Sequence, residues 1–267
     1  MPGEARRRVA VVLAAGQGKR MRSPLPKVLH RAAGRPLVAW VLDAARAAGC
    51  DDIVVVVGHG AAEVRAAVAA PDVAFALQAE QLGTGHAVAQ AAGLVPGEAT
   101  VLVLSGDVPL VRPQTLVALA EEAESAGTWG ALAVADVADP GSLGRVLRAA
   151  DGSFERIVEA ADATPGELAV TTINAGIYAL PAPDLFARLA RLERLRPDNA
   201  QGEIYLTDVP GMARADGERI AVHVLADETE AIGVNTPEDL AAADRALRGR
   251  LGTPPAAVEP SVQASDG

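Results

Sequence analysis

Short apolar runs rich in β-branched residues alternate with alanine-rich stretches through the first half of this sequence. The apolar runs are residues 9–13, 53–57, 73–77 and 101–104. The stretches of helical character are residues 36–49, 61–69, 84–92 and 113–127. Pro36 and Pro113 stand where helices begin and Gly49 where one ends. Strands connected by helices form parallel sheets with right-handed crossovers, so the pattern predicts a doubly wound α/β fold.

The second half of the chain has a different pattern. Residues 146–158, with Asp151 and Gly152 at their centre, have the features of a β-hairpin, and residues 171–180 indicate a further strand. The remaining predicted elements are helices at 183–194, 208–215 and 237–248 and a strand at 220–225. We therefore expect a mixed, mostly parallel sheet with a small β extension. Residues 1–250 would form one domain, followed by a disordered Pro-rich tail at 251–267.

Charge and composition exclude several classes of function. The net charge of −10 argues against a general nucleic-acid surface, and no apolar run approaches the roughly 18 residues of a membrane span. The single cysteine, Cys50, allows no internal disulfide and fits the reducing cytoplasm. Positive charge is concentrated near the start, because residues 1–35 hold nine Arg or Lys and one acid, Glu4.

The stretch VVLAAGQGKRMRSPLPKVLH, residues 11–30, looks like a phosphate loop but matches neither common type. A dinucleotide fingerprint needs a third glycine where Met21 stands. An ATP-type P-loop needs glycine in place of Leu13 and Ser or Thr in place of Arg20. Both of these interpretations are therefore excluded.

What remains is a strand end followed by small residues and cations. The small residues are Ala14, Ala15 and Gly16, and the nearby cations are Lys19, Arg20 and Lys27. Exposed backbone N–H groups in such a loop can approach a phosphate closely, and α/β sheets bind ligands at the carboxyl ends of their strands. Lys19 and Lys27 are the only lysines in the chain, which suggests a need for a compact ammonium. The alternative is a flexible basic loop without a ligand.

A carboxylate follows another predicted strand at the same edge of the sheet. The sequence SGDVP begins with Ser105 and Gly106 and places Asp107 just beyond the apolar run that ends at Leu104. Mg²⁺ in proteins is commonly held by one or two carboxylates together with substrate phosphates, so Asp107 is a candidate metal ligand. The alternative is ordinary turn chemistry.

Polar side chains in four other places are candidates for ligand binding. Gln78, Gly83 and Thr84 in QAEQLGTGHAVAQA suit the edge of a nucleobase or a sugar, although a simple helix N-cap accounts for them equally well. Three further polar residues interrupt apolar patterns, where each needs a partner or ends a strand: Glu159, Asn174 and Asn235. The four histidines show no metal-ligand spacing.

Several of these motifs recur together in one known family. LAAGQGKRM, LPKVLH, GHG, QAEQLGTGHA, GDVPL, INAGIY, NAQGE with YLTD, and GVN follow one another in its order and spacing. From residue 9 to residue 240 the chain resembles the uridylyltransferase domain of the bacterial bifunctional enzyme that makes UDP-N-acetylglucosamine. The resemblance implies a Rossmann-like nucleotidyltransferase fold. It also implies Mg²⁺-dependent formation of UDP-N-acetylglucosamine and pyrophosphate from UTP and N-acetylglucosamine 1-phosphate.

The same resemblance implies roles for individual residues. The uridine part would be bound by Leu13, Ala14, Ala15, Gly16, Gln78, Gly83 and Thr84, with Ser105 and Gly106 also in the nucleotide site. Arg20 and Lys27 would face the phosphates, and Asp107 and Asn235 would hold Mg²⁺. Gly144, Glu159 and Asn174 would line the sugar.

This chain departs from the family's pattern in three ways. It ends in a Pro-rich tail where the family continues into a left-handed β-helix, so we expect neither acetyltransferase activity nor the trimer that the β-helix builds. Ala161 stands where the family usually has lysine, and Leu143 and Ile204 replace aromatic residues. Two alternatives therefore stay open: transfer to another sugar phosphate or from another nucleotide, and a catalytically weak nucleotide-sugar binding protein.

Overall fold

The structure is a computed structural model that describes residues 6–195 and 197–252. Its strands are β1 (Arg8–Ala14), β2 (Arg31–Ala32), β3 (Arg35–Pro36), β4 (Asp52–Val57), β5 (Val73–Leu77), β6 (Thr100–Ser105), β7 (Gly130–Asp136), β8 (Arg145–Arg148), β9 (Phe154–Val158), β10 (Thr172–Pro181) and β11 (Ile220–Val224). Its α-helices are α1 (Leu37–Ala47), α2 (Ala61–Val68), α3 (Thr84–Ala89), α4 (Pro113–Glu124), α5 (Pro165–Leu168), α6 (Ala182–Leu195), α7 (Asp208–Ala215) and α8 (Pro237–Leu251).

One large sheet organises the molecule. Its strand order is β11-β7-β10-β6-β1-β4-β5, and the hairpin of β8 and β9 is attached through β10. β10 pairs antiparallel with β6 and with β7, whereas the other pairs along the main path are parallel. The predicted fold, a mixed and mostly parallel α/β sheet with a small β extension, is confirmed.

Both faces of the sheet are covered by helices, which explains why its strands are apolar at almost every position. Along β1, Val9 and Val11 belong to the core on one face, while Ala10 and Val12 belong to the core on the other. All four side chains are fully buried. Because β1 lies between β4 and β6, its carboxyl end opens at the middle of the sheet edge, where α/β folds place their ligands.

The structure adds elements that the sequence patterns did not predict. β7 was missed because its sequence, GALAVAD, is rich in alanine, which has a low preference for strands. Its burial between β10 and β11 overrides that preference. α5 begins with a capping box in which the Thr164 hydroxyl and the Glu167 backbone are paired. The short strands β2 and β3 form a small separate hairpin.

The predicted boundaries differ from the observed ones mainly at helix ends. α4 stops at Glu124 rather than at Gly127, and α8 continues to Leu251, where Gly252 caps it with a φ of 66°. Residues 253–267 of the predicted tail lie outside the described residues. Among the residues that are described, no helix combines the length and the apolar character needed to cross a membrane.

Candidate active site

The loops that follow β1 and β6 lie side by side at the carboxyl edge of the sheet. The backbone N–H of Gly106 donates a 2.9 Å hydrogen bond to the carbonyl of Leu13, which fixes the second loop against the end of β1. A Cβ at position 106 would lie 2.9 Å from that same carbonyl oxygen, so only glycine fits without a shift. Asp107 is thereby placed next to the residues that follow β1.

Three predicted site residues from distant parts of the chain meet at this edge. The Lys27 ammonium forms a salt bridge with the Asp107 carboxylate and donates a 3.0 Å hydrogen bond to Oδ1 of Asn235. The Lys27 and Asp107 side chains are only 17% and 15% exposed. Lys27, Asp107 and Asn235, which we expected at the same edge of the sheet, are therefore in direct contact through the lysine.

Backbone contacts hold this cluster in place. The Val234 N–H donates to the Asp107 carbonyl at 2.9 Å, and the Asn235 N–H donates to Oδ2 of Asp239 at the same distance. The aliphatic stem of Lys27 packs over Gly18, whose φ is +63° and where a Cβ would lie 2.6 Å from Cβ of Lys27. The loop after β1 therefore needs glycine at this point to let the lysine approach.

The donor set of this cluster suits a hard divalent cation. Asp107 offers a carboxylate and Asn235 an amide oxygen, and oxygen atoms of this kind are the ligands that Mg²⁺ prefers. Gly233 leaves space beside them, since a Cβ there would lie 3.4 Å from Oδ2 of Asp107. Within the described ranges, no three His, Cys, Asp or Glu side chains are grouped to hold a metal by themselves. Asp107 and Asn235 would supply two oxygen ligands to a metal at this point, and water or phosphate oxygens would complete its coordination.

A cavity of about 310 Å³ lies beside the cluster. It is lined by Leu13, Ala14, Ala15, Gly16, Lys27, Val28, Gln78, Gln81, Gly83, Thr84, Ala87, Ser105, Asp107 and Glu203. Every residue predicted for the nucleotide site lies on this wall except Gly106, which supports the wall from behind through Leu13.

Two of the polar residues in this wall are also bonded within the protein. Gln78 is buried, and its Nε2 lies 3.1 Å from the Gly83 carbonyl and 3.1 Å from Nδ1 of His86. The Thr84 hydroxyl accepts a 3.1 Å hydrogen bond from the Leu206 N–H. These bonds fix the conformation of the loop between β5 and α3, which lines the cavity.

A second cavity, of about 470 Å³, continues on the other side of Lys27. It is lined by Gly16, Gln17, Gly18, Arg20, Lys27, Gln81, Glu203 and Asn235. Arg20 is exposed at its wall, so both predicted phosphate-facing cations, Arg20 and Lys27, lie around one space. Lys27 lines both cavities, as do Gly16, Gln81 and Glu203.

The three residues predicted to line a sugar also come together. The Asn174 N–H donates a 2.9 Å hydrogen bond to the Gly144 carbonyl, and a Cβ at Gly144 would lie 3.4 Å from Oε2 of Glu159. The Asn174 amide is itself engaged, since Nδ2 donates to the Tyr178 hydroxyl at 2.7 Å and Oδ1 accepts from the Gly176 N–H at 3.1 Å.

Burial makes Glu159 electrostatically unusual. Loss of hydration raises the pKa of its carboxyl group, and the nearby acids Asp162 and Glu203 add to the rise. The Thr207 hydroxyl donates a 2.9 Å hydrogen bond to Oε1 and partly offsets the increase in pKa. The site therefore contains a carboxyl group whose protonated form is favoured more than usual.

Comparison with known proteins places this site in a family. Residues 10–204 match the MobA-like NTP transferase domain family. The chain belongs to that family. The match begins inside β1 and ends at Ile204. It includes every residue that lines the smaller cavity, all those that line the larger one except Asn235, and the residues around Glu159.

Individual relatives of this NTP transferase give a similar picture. Curated proteins named bifunctional protein GlmU from Paraburkholderia phytofirmans and Paraburkholderia xenovorans are each 53% identical to it over 235 residues. That alignment covers 88% of this chain but 51% of each relative, so the chain spans about half the length of the curated relatives it matches. A crystal structure of UDP-glucose pyrophosphorylase complexed with UDP-glucose has a TM-score of 0.71 at 19% identity and covers 91% of this chain and 99% of its own. This last likeness shows a shared fold.

Two polar residues that line both cavities, Gln81 and Glu203, were not singled out from the sequence. Glu203 lines both cavities and also a third one, of about 350 Å³, next to Glu159 and Tyr205. The sequence around it, NAQGE, is polar throughout and looks like an ordinary loop. The only available signal was its place in a motif of the family, which gave no role to the glutamate itself.

Proposed function

We propose that this chain transfers a uridylyl group from UTP to N-acetylglucosamine 1-phosphate and releases pyrophosphate. The contact of Lys27 with both Asp107 and Asn235, between two adjoining cavities, is the observation that carries the proposal. It places a cation and two metal-type ligands where a nucleoside triphosphate would bridge the cavities. The 53% identity to the GlmU proteins and the ordered family motifs support uridine and N-acetylglucosamine as the specific groups.

The cavity walls suggest how the nucleotide would bind. The smaller cavity, with Gln78, Gly83 and Thr84, would hold the uridine part, and the larger one would hold the β- and γ-phosphates beside Arg20. Lys27, which lines both, would lie near the α-phosphate. Asp107 and Asn235 would hold Mg²⁺, which supplies neutralisation of the phosphate charge when bound.

Chemically, the reaction is an in-line displacement at phosphorus. An oxygen of the sugar phosphate attacks the α-phosphorus of UTP, the bond from that phosphorus to the bridging oxygen breaks, and pyrophosphate leaves with the electron pair. No covalent intermediate with the protein is needed. The residues act by alignment and by stabilising charge, with Arg20 and Lys27 facing the oxygens that become more negative.

The acceptor sugar is the least constrained part of the proposal. Gly144, Glu159 and Asn174 would line it, but Ala161 offers no cation two residues after Glu159. Leu143, beside Gly144, is 43% exposed, so an apolar side chain lies next to the proposed sugar site. Ile204 is only 7% exposed and packs on Gly85, where a Cβ would lie 2.9 Å from its Cγ2, and it also lines the cavity of about 350 Å³ next to Glu159.

A panel of substrate pairs tests the proposal. Pyrophosphate release is measured for each common nucleoside triphosphate with N-acetylglucosamine, glucosamine, glucose and galactose 1-phosphates, in the presence of Mg²⁺. We expect the highest kcat/KM for UTP with N-acetylglucosamine 1-phosphate. A higher value for a different pair would support transfer to another sugar phosphate or from another nucleotide. Release of pyrophosphate with no pair would support a nucleotide-sugar binding protein without transferase activity.

A further inference from the structure

Lys27 contacts the two oxygens that the proposed function assigns to a metal. Its ammonium lies against Oδ2 of Asp107 and 3.0 Å from Oδ1 of Asn235. These are one carboxylate oxygen and one amide oxygen, and the same ammonium satisfies both. Since Asp107 and Asn235 are 128 positions apart in the sequence, their meeting point is set by the fold and not by a local turn.

The orientation of the Asn235 amide is fixed by a second bond. Its Nδ2 donates a 3.1 Å hydrogen bond to the Gly233 carbonyl, which turns Oδ1 toward Lys27. The backbone of Asp107 is tied to the same segment through the Val234 N–H. The Asn235 amide oxygen is therefore aimed at this point by a bond that does not involve Lys27, and the Asp107 backbone is held beside it. The point suits whichever cation occupies it.

We propose that the Lys27 ammonium and a divalent cation compete for this point, so that Lys27 must move onto the nucleotide phosphates for the metal to bind. The proposal rests on the proposed function for the identity of the metal ligands. Two cations within a few ångströms repel each other strongly in a partly buried site. Asp107 is 15% exposed, so water screens that repulsion poorly.

The lysine side chain is suited to such a movement. Its flexible four-carbon stem can swing the ammonium while the stem stays packed over Gly18. Lys27 lines both cavities, so the space assigned to the phosphates is within reach of the same side chain. Phosphate oxygens would replace the two acceptors that the ammonium gives up. Nucleotide and metal would then assist each other's binding, because each favours the same position of Lys27.

Binding of Mn²⁺ to the full chain without nucleotide, measured by electron paramagnetic resonance of the free ion, tests this proposal. Lys27→Met keeps the unbranched stem and removes the charge, and Lys27→Gln provides a second neutral variant. We expect both to bind Mn²⁺ more tightly than wild type, by about tenfold, a usual size for coupling between two sites. Loss of a residue that only bound phosphate would leave this affinity unchanged.

Arg20→Met is the matched control, because Arg20 lines the same cavity as Lys27 and Asn235. We expect its Mn²⁺ affinity to stay within about twofold of wild type, as for a charge that makes no direct contact with the ligands. Equal tightening in Arg20→Met and Lys27→Met, or no tightening in either lysine variant, would overturn the competition. Asp107→Asn distinguishes a failure of the proposed competition from a failure of the proposed function. If Asp107→Asn leaves Mn²⁺ binding in the presence of UTP unchanged, Asp107 is not a metal ligand and the proposed function fails at this point.

Discussion

The backbone N–H of Gly85 donates a 2.8 Å hydrogen bond to the carbonyl of Ile204, and the Ile204 N–H donates an equally short bond to Leu82. These two bonds join the loop before α3 to the loop before α7 in a small ladder. The first loop carries the wall of the nucleotide cavity and the second carries Glu203. The two sides of the site are therefore built as one unit.

Alanine at Gly83 should break this unit. The φ of Gly83 is +108°, and a Cβ there would lie 2.5 Å from the Ile204 carbonyl oxygen. We expect Gly83→Ala to lower the free energy of unfolding by about 1–3 kcal/mol and to raise the KM for UTP. Gly93→Ala is the control, because a Cβ at Gly93 meets nothing within 4 Å. Urea unfolding and steady-state kinetics of both variants give the comparison, and equal effects of the two would refute the steric argument.

Removal of the Asp107 carboxylate should stop the reaction without unfolding the protein. Asp107 lies at the sheet edge and contributes its charge to the cluster with Lys27, not to the core. We expect Asp107→Ala to lower kcat by at least about a hundredfold, the size seen when an electrostatic stabiliser is lost. Circular dichroism checks that the fold is kept. If Asp107→Ala turns over at close to the wild-type rate at saturating Mg²⁺, Asp107 is not a ligand of the metal.

Arginine should not replace Lys27. A planar guanidinium is wider than an ammonium, so it cannot act as a compact point charge on the nucleotide phosphates while the side-chain stem packs over Gly18. We expect Lys27→Arg to lower kcat by about a hundredfold or more. Arg20→Lys, at an exposed position in the same cavity, provides the reciprocal exchange and should be milder. Full activity of Lys27→Arg would mean that the scarcity of lysine in this chain has no functional cause.

The buried carboxyl of Glu159 should make stability depend on pH. Because burial raises its folded-state pKa above the ordinary 4.5, its contribution to stability is complete below that pH and is lost as pH rises through the raised value. Glu159→Gln removes this loss. The variant should therefore gain stability relative to wild type as the pH rises above 4.5, measured by urea unfolding at a series of pH values. Glu155→Gln, an exchange at an exposed position on β9, which ends just before Glu159, is the control. A stability difference for Glu159→Gln that does not change with pH would contradict the account.

Much of the fold was predictable because its strands are apolar on both faces and its helices carry clear end signals. The parallel strands β1, β4, β5 and β6 follow from these patterns directly. β10 was predicted as a strand, but nothing in its sequence tells that it enters the middle of the sheet antiparallel to its neighbours. That position depends on which partners the rest of the chain leaves open, which is a tertiary property.

The candidate site shows the same division. Sheet topology and family motifs together predicted that Lys27, Asp107 and Asn235 lie close, and the structure brings them into contact. The sequence could not show that the ammonium itself joins the two proposed metal ligands, because contacts between distant residues depend on side-chain conformation. Nor could it show that Ile204 packs on Gly85.

The most direct test of uridylyl transfer follows the oxygen atoms. N-acetylglucosamine 1-phosphate labelled with ¹⁸O in its phosphate is incubated with UTP, Mg²⁺ and the protein, and the products are analysed by mass spectrometry. The account predicts UDP-N-acetylglucosamine that keeps the entire label and pyrophosphate that contains none, because the sugar phosphate oxygen attacks the α-phosphorus. Label in the pyrophosphate would contradict this direction of attack, and the absence of any UDP-N-acetylglucosamine would contradict the proposed function.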